Sequence, residues 1–269
     1  MAHEAFVRIL GARGSMPVSG REFLRYGGAT TCILIRLAGQ WLAVDAGTGL
    51  LKISEHLGEE PVRLSLLITH PHADHLLGLP FCPVLSRPGC QLDIYGAERQ
   101  GMTVEDQCRV LFGPPLWPVG PEDMPSSPAF YDLPERMRIG EVTVERMEGV
   151  HPGGVSLLRL TGDGRSIVVA TDCTVPEENA GSLAEFAADC DLLLCDGQYS
   201  REEWTSRAHF GHSTWEAAAR LGRLCGAKRI RVIHHDPSHT DDRLEEAEKE
   251  LGAVHPDCAF GREGEEVLL

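Results

Sequence analysis

The run Thr69-His70-Pro71-His72-Ala73-Asp74-His75 places three imidazoles and one carboxylate within six residues. One histidine beside a strand is ordinary, but ligand-type side chains at this density are not. Neutral imidazoles near a core satisfy one another poorly, whereas a cation satisfies them all together. Nitrogen and oxygen donors suit zinc, and also manganese or iron. His70 and His72 are two apart and can point the same way off an extended segment. Asp74 and His75 then turn into a following helix and face a second position, which makes room for two ions. One short peptide seldom completes a zinc site, so other ligands must arrive from elsewhere. His151, Asp172 and His234 are the candidates, because each follows an apolar run that reads as a strand, and α/β folds build their sites at strand ends.

The elements that would carry these residues can be read from the spacing of apolar positions. Strands are expected at Phe6–Leu10, Thr31–Leu37, Trp41–Asp45 and Leu64–Thr69, the last a continuous apolar run suited to burial on both faces. Further strands are expected at 91–95, 142–147, Ser156–Leu160, Ser166–Ala170, Leu192–Cys195 and Arg229–Ile233. Helical spacing covers Thr48–Leu57, Thr103–Leu111 and Asp241–Leu251. Ser213-Thr214-Trp215-Glu216 reads as a capping box opening another helix, with Leu221 and Leu224 on its apolar face. Strands in two sheets flanked by helices predict a layered α/β sandwich. Residues 113–135, rich in proline, read as a long loop that is either functional or a solvated insertion.

Composition narrows the class. The chain has 269 residues, 42% of them hydrophobic and 24% charged, which is ordinary for a globular chain with a sizeable core. No apolar run approaches the ~20 residues of a membrane helix, and the start MAHEAFVRILGARGS lacks the pattern of a signal peptide. Nine cysteines without CxxC spacing fit reduced thiols, so a cytoplasmic protein is expected. Forty acidic against 25 basic residues give a formal charge of −15, which disfavours long nucleic acid as a partner.

HxHxDH, a distant histidine, an aspartate after a strand and a final histidine together resemble the metallo-β-lactamase superfamily, over nearly the whole chain. Ala43-Val44-Asp45-Ala46-Gly47 is similar to its early aspartate motif, and Ala170-Thr171-Asp172 to its bridging-aspartate motif. Gly14-Ser15, Gly27-Gly28-Ala29-Thr30-Thr31-Cys32 and Gly211-His212-Ser213-Thr214 resemble the phosphodiesterase branch, which includes RNase Z and cyclic-nucleotide phosphodiesterases. Asp196 sits where relatives carry an acidic partner to the histidine of that last loop.

The resemblance implies a four-layered αββα sandwich spanning residues 1–269 as one domain, with 113–135 as an insertion. One divalent ion, most simply zinc, would take His70, His72 and His151. A second would take Asp74, His75 and His234, with Asp172 and a hydroxide bridging the two. His234 is preferred over His235, which would stand behind the ligands or face the substrate. The bridging hydroxide would attack a phosphodiester, Asp74 would help orient it, and His212, supported by Asp196, would protonate the leaving oxygen.

No basic arm for tRNA is visible, so a small cyclic-nucleotide-type substrate is preferred to an RNase Z-like role on RNA. A lactone or thioester hydrolase and a non-catalytic metal sensor are the other readings. A homodimer is also allowed for, with the proline-rich segment as lid or interface. Asp45 is expected to support the site rather than bind metal, Cys173 to be a small buried residue, and Gly11–Ser15 to be a turn near the site. His3, His56, His209, His239 and His255 carry no expectation beyond surface or core.

Overall fold

Apolar residues that follow one another in these strands go to different layers, which is why the runs are continuous rather than alternating. In a computed structural model describing residues 5–126, 128–175 and 180–269, strands β1 (Phe6–Gly11), β2 (Cys32–Leu37), β3 (Gln40–Val44), β4 (Arg63–Ile68), β5 (Gln91–Gly96) and β6 (Ala129–Asp132) lie side by side. β1 to β3 form an antiparallel meander and β3 to β6 are parallel. The second sheet holds β7 (Arg136–Ile139), β8 (Val142–Gly149), β9 (Val155–Gly162), β10 (Arg165–Ala170), β11 (Leu192–Asp196), β12 (Ile230–Ile233) and β13 (Cys258–Phe260). It is antiparallel as far as β10 and parallel from there to β13. The terminal β14 (Glu266–Leu268) returns to the first sheet and pairs antiparallel with β1.

Because side chains alternate along a strand, Ile33 and Ile35 of β2 face the second sheet, where they join Ile167 and Val169 of β10 in one core. Cys32 and Leu34 of β2 face outward with Leu64, Leu66 and Ile68 of β4. On the far side, Val168 and Ala170 meet Ala218, Leu221, Leu244 and Leu251. Each fully buried aliphatic side chain of this kind contributes roughly 1.5–3 kcal/mol through removal from water. The helices are α1 (Ser54–Leu57), α2 (Ala73–Leu76), α3 (Val104–Arg109), α4 (Gly181–Phe186), α5 (Arg201–Arg207), α6 (Trp215–Cys225) and α7 (Asp241–Val254). The result is the expected αββα sandwich.

Several local expectations are corrected. Residues 48–57 are not one α-helix but a 3-10 stretch, Thr48–Lys52, followed by α1. Gly49 is pressed onto the backbone of Leu10 and Gly11, and the Thr48 backbone and hydroxyl are engaged by Thr30. The cap of α6 is Thr214, whose side chain accepts from the Ala217 amide, while the Ser213 hydroxyl is taken by Cys173 and Val175. Leu224 of that helix is 61% exposed and packs in no core, unlike Leu221. Within 113–135, residues Ala129–Asp132 are not loop but β6, which extends the first sheet beside β5. His3 lies outside the described residues.

Candidate metal centre

Sheet direction brings the candidate residues to one edge of the sandwich. β8 runs antiparallel to β9, and β9 to β10, so β8 points the same way as β10, β11 and β12. Their C-terminal ends deliver His151, Asp172, Asp196 and His234 to the same rim. From the other sheet, β4 leads into His70, His72 and the first turn of α2, while its parallel neighbour β3 leads into Asp45. Asp45, Asp172 and His234 all adopt left-handed backbone, with φ of 62, 52 and 66°. Non-glycine residues adopt that region seldom, and at a cost. The fold holds three residues of one rim there.

Two adjoining groups of side chains share Asp172, and a third joins Asp196 and His212 to His234. In the first, His72 Nδ1 lies 2.9 Å from His70 Nε2 and 3.1 Å from His151 Nε2. Asp172 Oδ2 lies 3.7 and 3.9 Å from those Nε2 atoms of His70 and His151. In the second, His234 Nε2 is 3.1 Å from both Asp74 Oδ2 and Asp172 Oδ2, and His75 Nε2 is 3.1 Å from Asp172 Oδ1 and 3.4 Å from Asp74 Oδ2. Both groups have their candidate donor atoms within 4.8 Å of one another.

Surrounding groups fix which ring nitrogen turns inward. Asp45 accepts from His75 Nδ1 at 2.7 Å and from the Thr69 hydroxyl at 2.9 and 3.0 Å. With its proton given to Asp45, that hydroxyl accepts from His70 Nδ1 at 3.1 Å. The carbonyl of Gly211 accepts from His151 Nδ1, also at 3.1 Å. Such partners select the tautomer and leave Nε2 as a lone-pair donor. His75 Nε2 is buried and makes no hydrogen bond. Inward-facing lone pairs, an orphaned buried nitrogen and a shared carboxylate are the environment a divalent cation satisfies, and the donor set of imidazole and carboxylate fits zinc, manganese or iron.

The electrostatics agree. Burial, followed by neighbouring rings, holds His70, His72 and His151 below the usual histidine range, so these rings are neutral donors. Burial also opposes charge on His75 and His234. The Asp172 and Asp74 carboxylates nevertheless raise His75 well above its ordinary value and His234 to about 9. Burial favours the neutral forms of Asp172 and Asp74 as well, yet His234 and His75 hold both below the ordinary carboxylate range. Negative charge therefore sits where a cation needs it.

His212 stands beside the second group, its ring stacked on His234 at 4.8 Å and its Nδ1 2.8 Å from Asp196 Oδ2. Asp196 Oδ1 accepts from the Ser213 amide at 2.9 Å, so both carboxylate oxygens are engaged. The ring borders a cavity of about 610 Å³ lined by Ser15, Gln198, Tyr199, Arg207 and Ser238. His235 does not face this cavity. It is fully buried, pairs through Nε2 with the Gly261 carbonyl at 2.8 Å and packs against Tyr26 and Phe260. Cys173 is buried and directed at the Ala170 carbonyl.

The Gly11–Ser15 turn does lie beside the site. The Ser15 amide donates to Asp74 Oδ2 at 2.7 Å. Gly14 rests on His234, and a Cβ there would come within 2.3 Å of Nδ1. Arg13, which sequence reasoning passed over, is fully buried and donates to the carbonyls of Gly27, Asp236 and His239, fastening this turn to the loop after His234. Its cue was a lone basic residue in a glycine-rich turn, but its partners are more than 200 positions away for two of the three bonds.

A family model described as beta-lactamase superfamily domain matches residues 40–235, a span that contains both groups. Ribonuclease Z from Treponema pallidum (strain Nichols) is 25% identical over 304 aligned positions, covering 97% of this chain and 95% of that protein. Among solved structures, the metallo-beta-lactamase fold protein YhfI from Bacillus subtilis superposes with a TM-score of 0.76 at 19% identity, covering 98% of this chain and 99% of that one. A diphosphatase from the PhnP family gives 0.72 at 18% identity, with 98% of each chain covered.

Proposed function

Since the chain belongs to the beta-lactamase superfamily, in its metallo-β-lactamase fold, we propose that it is a binuclear metal-dependent phosphodiesterase acting on small cyclic-nucleotide-type diesters. The observation that carries this reading is the pairing of two donor groups sharing Asp172 with the His212–Asp196 pair, which adjoins them through His234. His70, His72 and His151 would hold one cation, and Asp74, His75 and His234 would hold the other, with Asp172 within reach of both. When bound, two divalent cations, most simply zinc, supply positive charge for phosphate oxygens and lower the pKa of water towards neutrality.

The chain's own residues do the rest. Asp196 fixes the His212 ring through Nδ1–H, so that the doubly protonated ring can give its Nε2 proton to the leaving oxygen of a diester in the cavity and become neutral. Asp74, tied to the Ser15 amide and His234, keeps its carboxylate aimed at the reacting face. Ser15, Gln198 and Ser238 offer hydroxyl and amide groups to a polar leaving alcohol. At about 610 Å³ the cavity is in the size range of small-molecule sites.

The Ribonuclease Z relatives favour a second reading, an enzyme that cleaves RNA. Two observations weigh against it. The formal charge is −15. Further, 97% of 269 residues is about 261, so the 304-position alignment contains about 43 positions that the relative fills and this chain lacks. Polyanion binding rests on basic surface, and the chain carries more acidic than basic residues. The test is a parallel assay of the zinc- or manganese-loaded protein against cyclic mononucleotides, linear phosphodiesters, precursor tRNA and lactones. Turnover of cyclic nucleotides is expected; rapid trimming of precursor tRNA with no action on cyclic nucleotides would replace this reading with the second.

A further inference from the structure

The donor groups border two cavities, and the phosphodiesterase reading uses only one. The other, about 340 Å³, opens on the opposite side of His72 and shares His70 and His72 with the first donor group. Its walls are Leu76, Met102, Val110 and Leu111 on one side and the loop after His151 on the other. Within that loop Gly153 and Gly154, both with φ of 83°, present bare backbone beside Pro152. A Cβ on Gly153 would reach within 4.0 Å of His72 Nε2 and 3.4 Å of the Gln100 amide nitrogen, narrowing the cavity at its junction with the centre. Among the described residues the one charged side chain lining it, Arg99, is already paired with Glu148 and bonded to Ser156. A second anion therefore finds no unpaired cation there. Gln100 stands at the rim in left-handed backbone, φ 53°.

We propose that this cavity is a second substrate subsite that takes an uncharged aromatic ring, an aryl group or a nucleobase, carried by the part of the diester that stays on phosphorus. The proposal rests on the phosphodiesterase reading for its substrate class. His212 and the polar cavity lie on the leaving-group side, so the retained group is directed to the other side of His72. There a flat ring lies between exposed peptide planes and the thioether of Met102, a polarizable partner for aromatic faces. The site thereby discriminates between the two ester groups of its substrate.

The test uses two diesters with one leaving group, bis(p-nitrophenyl) phosphate and methyl p-nitrophenyl phosphate, assayed on the metal-loaded protein. Met102→Trp fills the cavity, and Val110→Trp does so from a position 58% exposed that leaves the core alone. Each variant is expected to lower kcat/KM for the bis-aryl diester about tenfold more than for the methyl diester. Equal effects on both substrates, in both variants, would overturn the subsite. Titration calorimetry with phenyl phosphate and methyl phosphate gives an independent readout. Tighter binding of phenyl phosphate, lost in the variants, supports the subsite, and equal binding of the two ligands by the unaltered protein refutes it. If neither diester turns over, the hydrolase reading fails while calorimetry still decides the subsite.

Discussion

Asp45 Oδ2 lies 2.7 Å from His75 Nδ1, so a carboxylate at the end of β3 holds from behind the ring whose other nitrogen faces Asp172 and Asp74. Asp45 is fully buried and also accepts from the Thr69 amide and hydroxyl. It thus governs His75 directly and His70 through Thr69. Asp45→Asn keeps the shape and removes the charge. Loss of an orienting carboxylate behind a metal-bound histidine typically costs about 10- to 100-fold in affinity. Competition with a chromophoric chelator is expected to show a weakening of that order for at least one cation, and unchanged affinity would remove Asp45 from this role.

Among the described residues Asp172 is the one carboxylate within reach of His70, His75, His151 and His234. Asp172→Ala is expected to reduce zinc content, measured by elemental analysis after dialysis, from two equivalents towards none. His151→Ala, which touches one group only, is expected to leave one equivalent. Identical losses in the two variants would argue against a shared ligand.

The proposed role of His212 is to serve the leaving group, although with Asp196 and His234 it also forms a group whose donor atoms could hold a cation. His212→Ala is expected to lower turnover of a cyclic nucleotide by about 10²- to 10⁴-fold, the usual worth of a positioned acid, with metal content preserved. Asp196→Asn is expected to fall in the same direction by less, because the ring stays and loses its orienting carboxylate. A diester with a nitrophenolate leaving group, which needs little protonation, is expected to suffer far less from either change. Parallel loss of metal and rate in His212→Ala would move this histidine into the metal-binding set.

Glu203 ties α5 to the loop beyond His234: it accepts from the Ser200 amide at 2.8 Å, and its other oxygen lies 2.9 Å from His239 Nε2. Burial works against the charge, but His239 and the Ser200 amide bring its pKa down from 4.5 to about 2. A depressed carboxylate pKa contributes stability above the unfolded value that disappears as pH falls through the folded one. The gap in unfolding free energy between the unaltered chain and Glu203→Gln is therefore expected to be constant above about pH 5 and to close between there and pH 2. Denaturant titrations at stepped pH read this directly. A gap that stays level to pH 2 would show that Glu203 acts by packing alone.

The cluster was legible because its donors are crowded in one short run and its remaining candidates each follow a strong apolar strand. Continuous apolar runs also made β2, β4 and β10 visible, since both faces are covered. What escaped was shorter or longer in range. β6, β7, β13 and β14 are three or four residues each and sit at or beside sheet edges, too brief to carry a period. The α6 cap was placed one residue early because Ser213 and Thr214 are equally able to cap. Only the tertiary contact of Ser213 with Cys173 and Val175 decides between them. The burial of Arg13 and the left-handed backbone at Asp172 and His234 depend on segments far away in the chain. The cavity beyond His72 joins α2, α3 and the Gly153-Gly154 loop, which no local window brings together.

The rim draws its donors from both halves of the sandwich, His70 to His75 from one sheet and His151, Asp172 and His234 from the other. Ions bound there would act as rivets across the seam between the layers, at a border where charged groups replace the greasy interior. A chain stripped of them keeps its aliphatic filling but loses the cross-tie. Opening should begin along that border, so amide exchange in Thr69–His75 and Ala170–Asp172 should quicken on demetallation well before the middle of either sheet loosens.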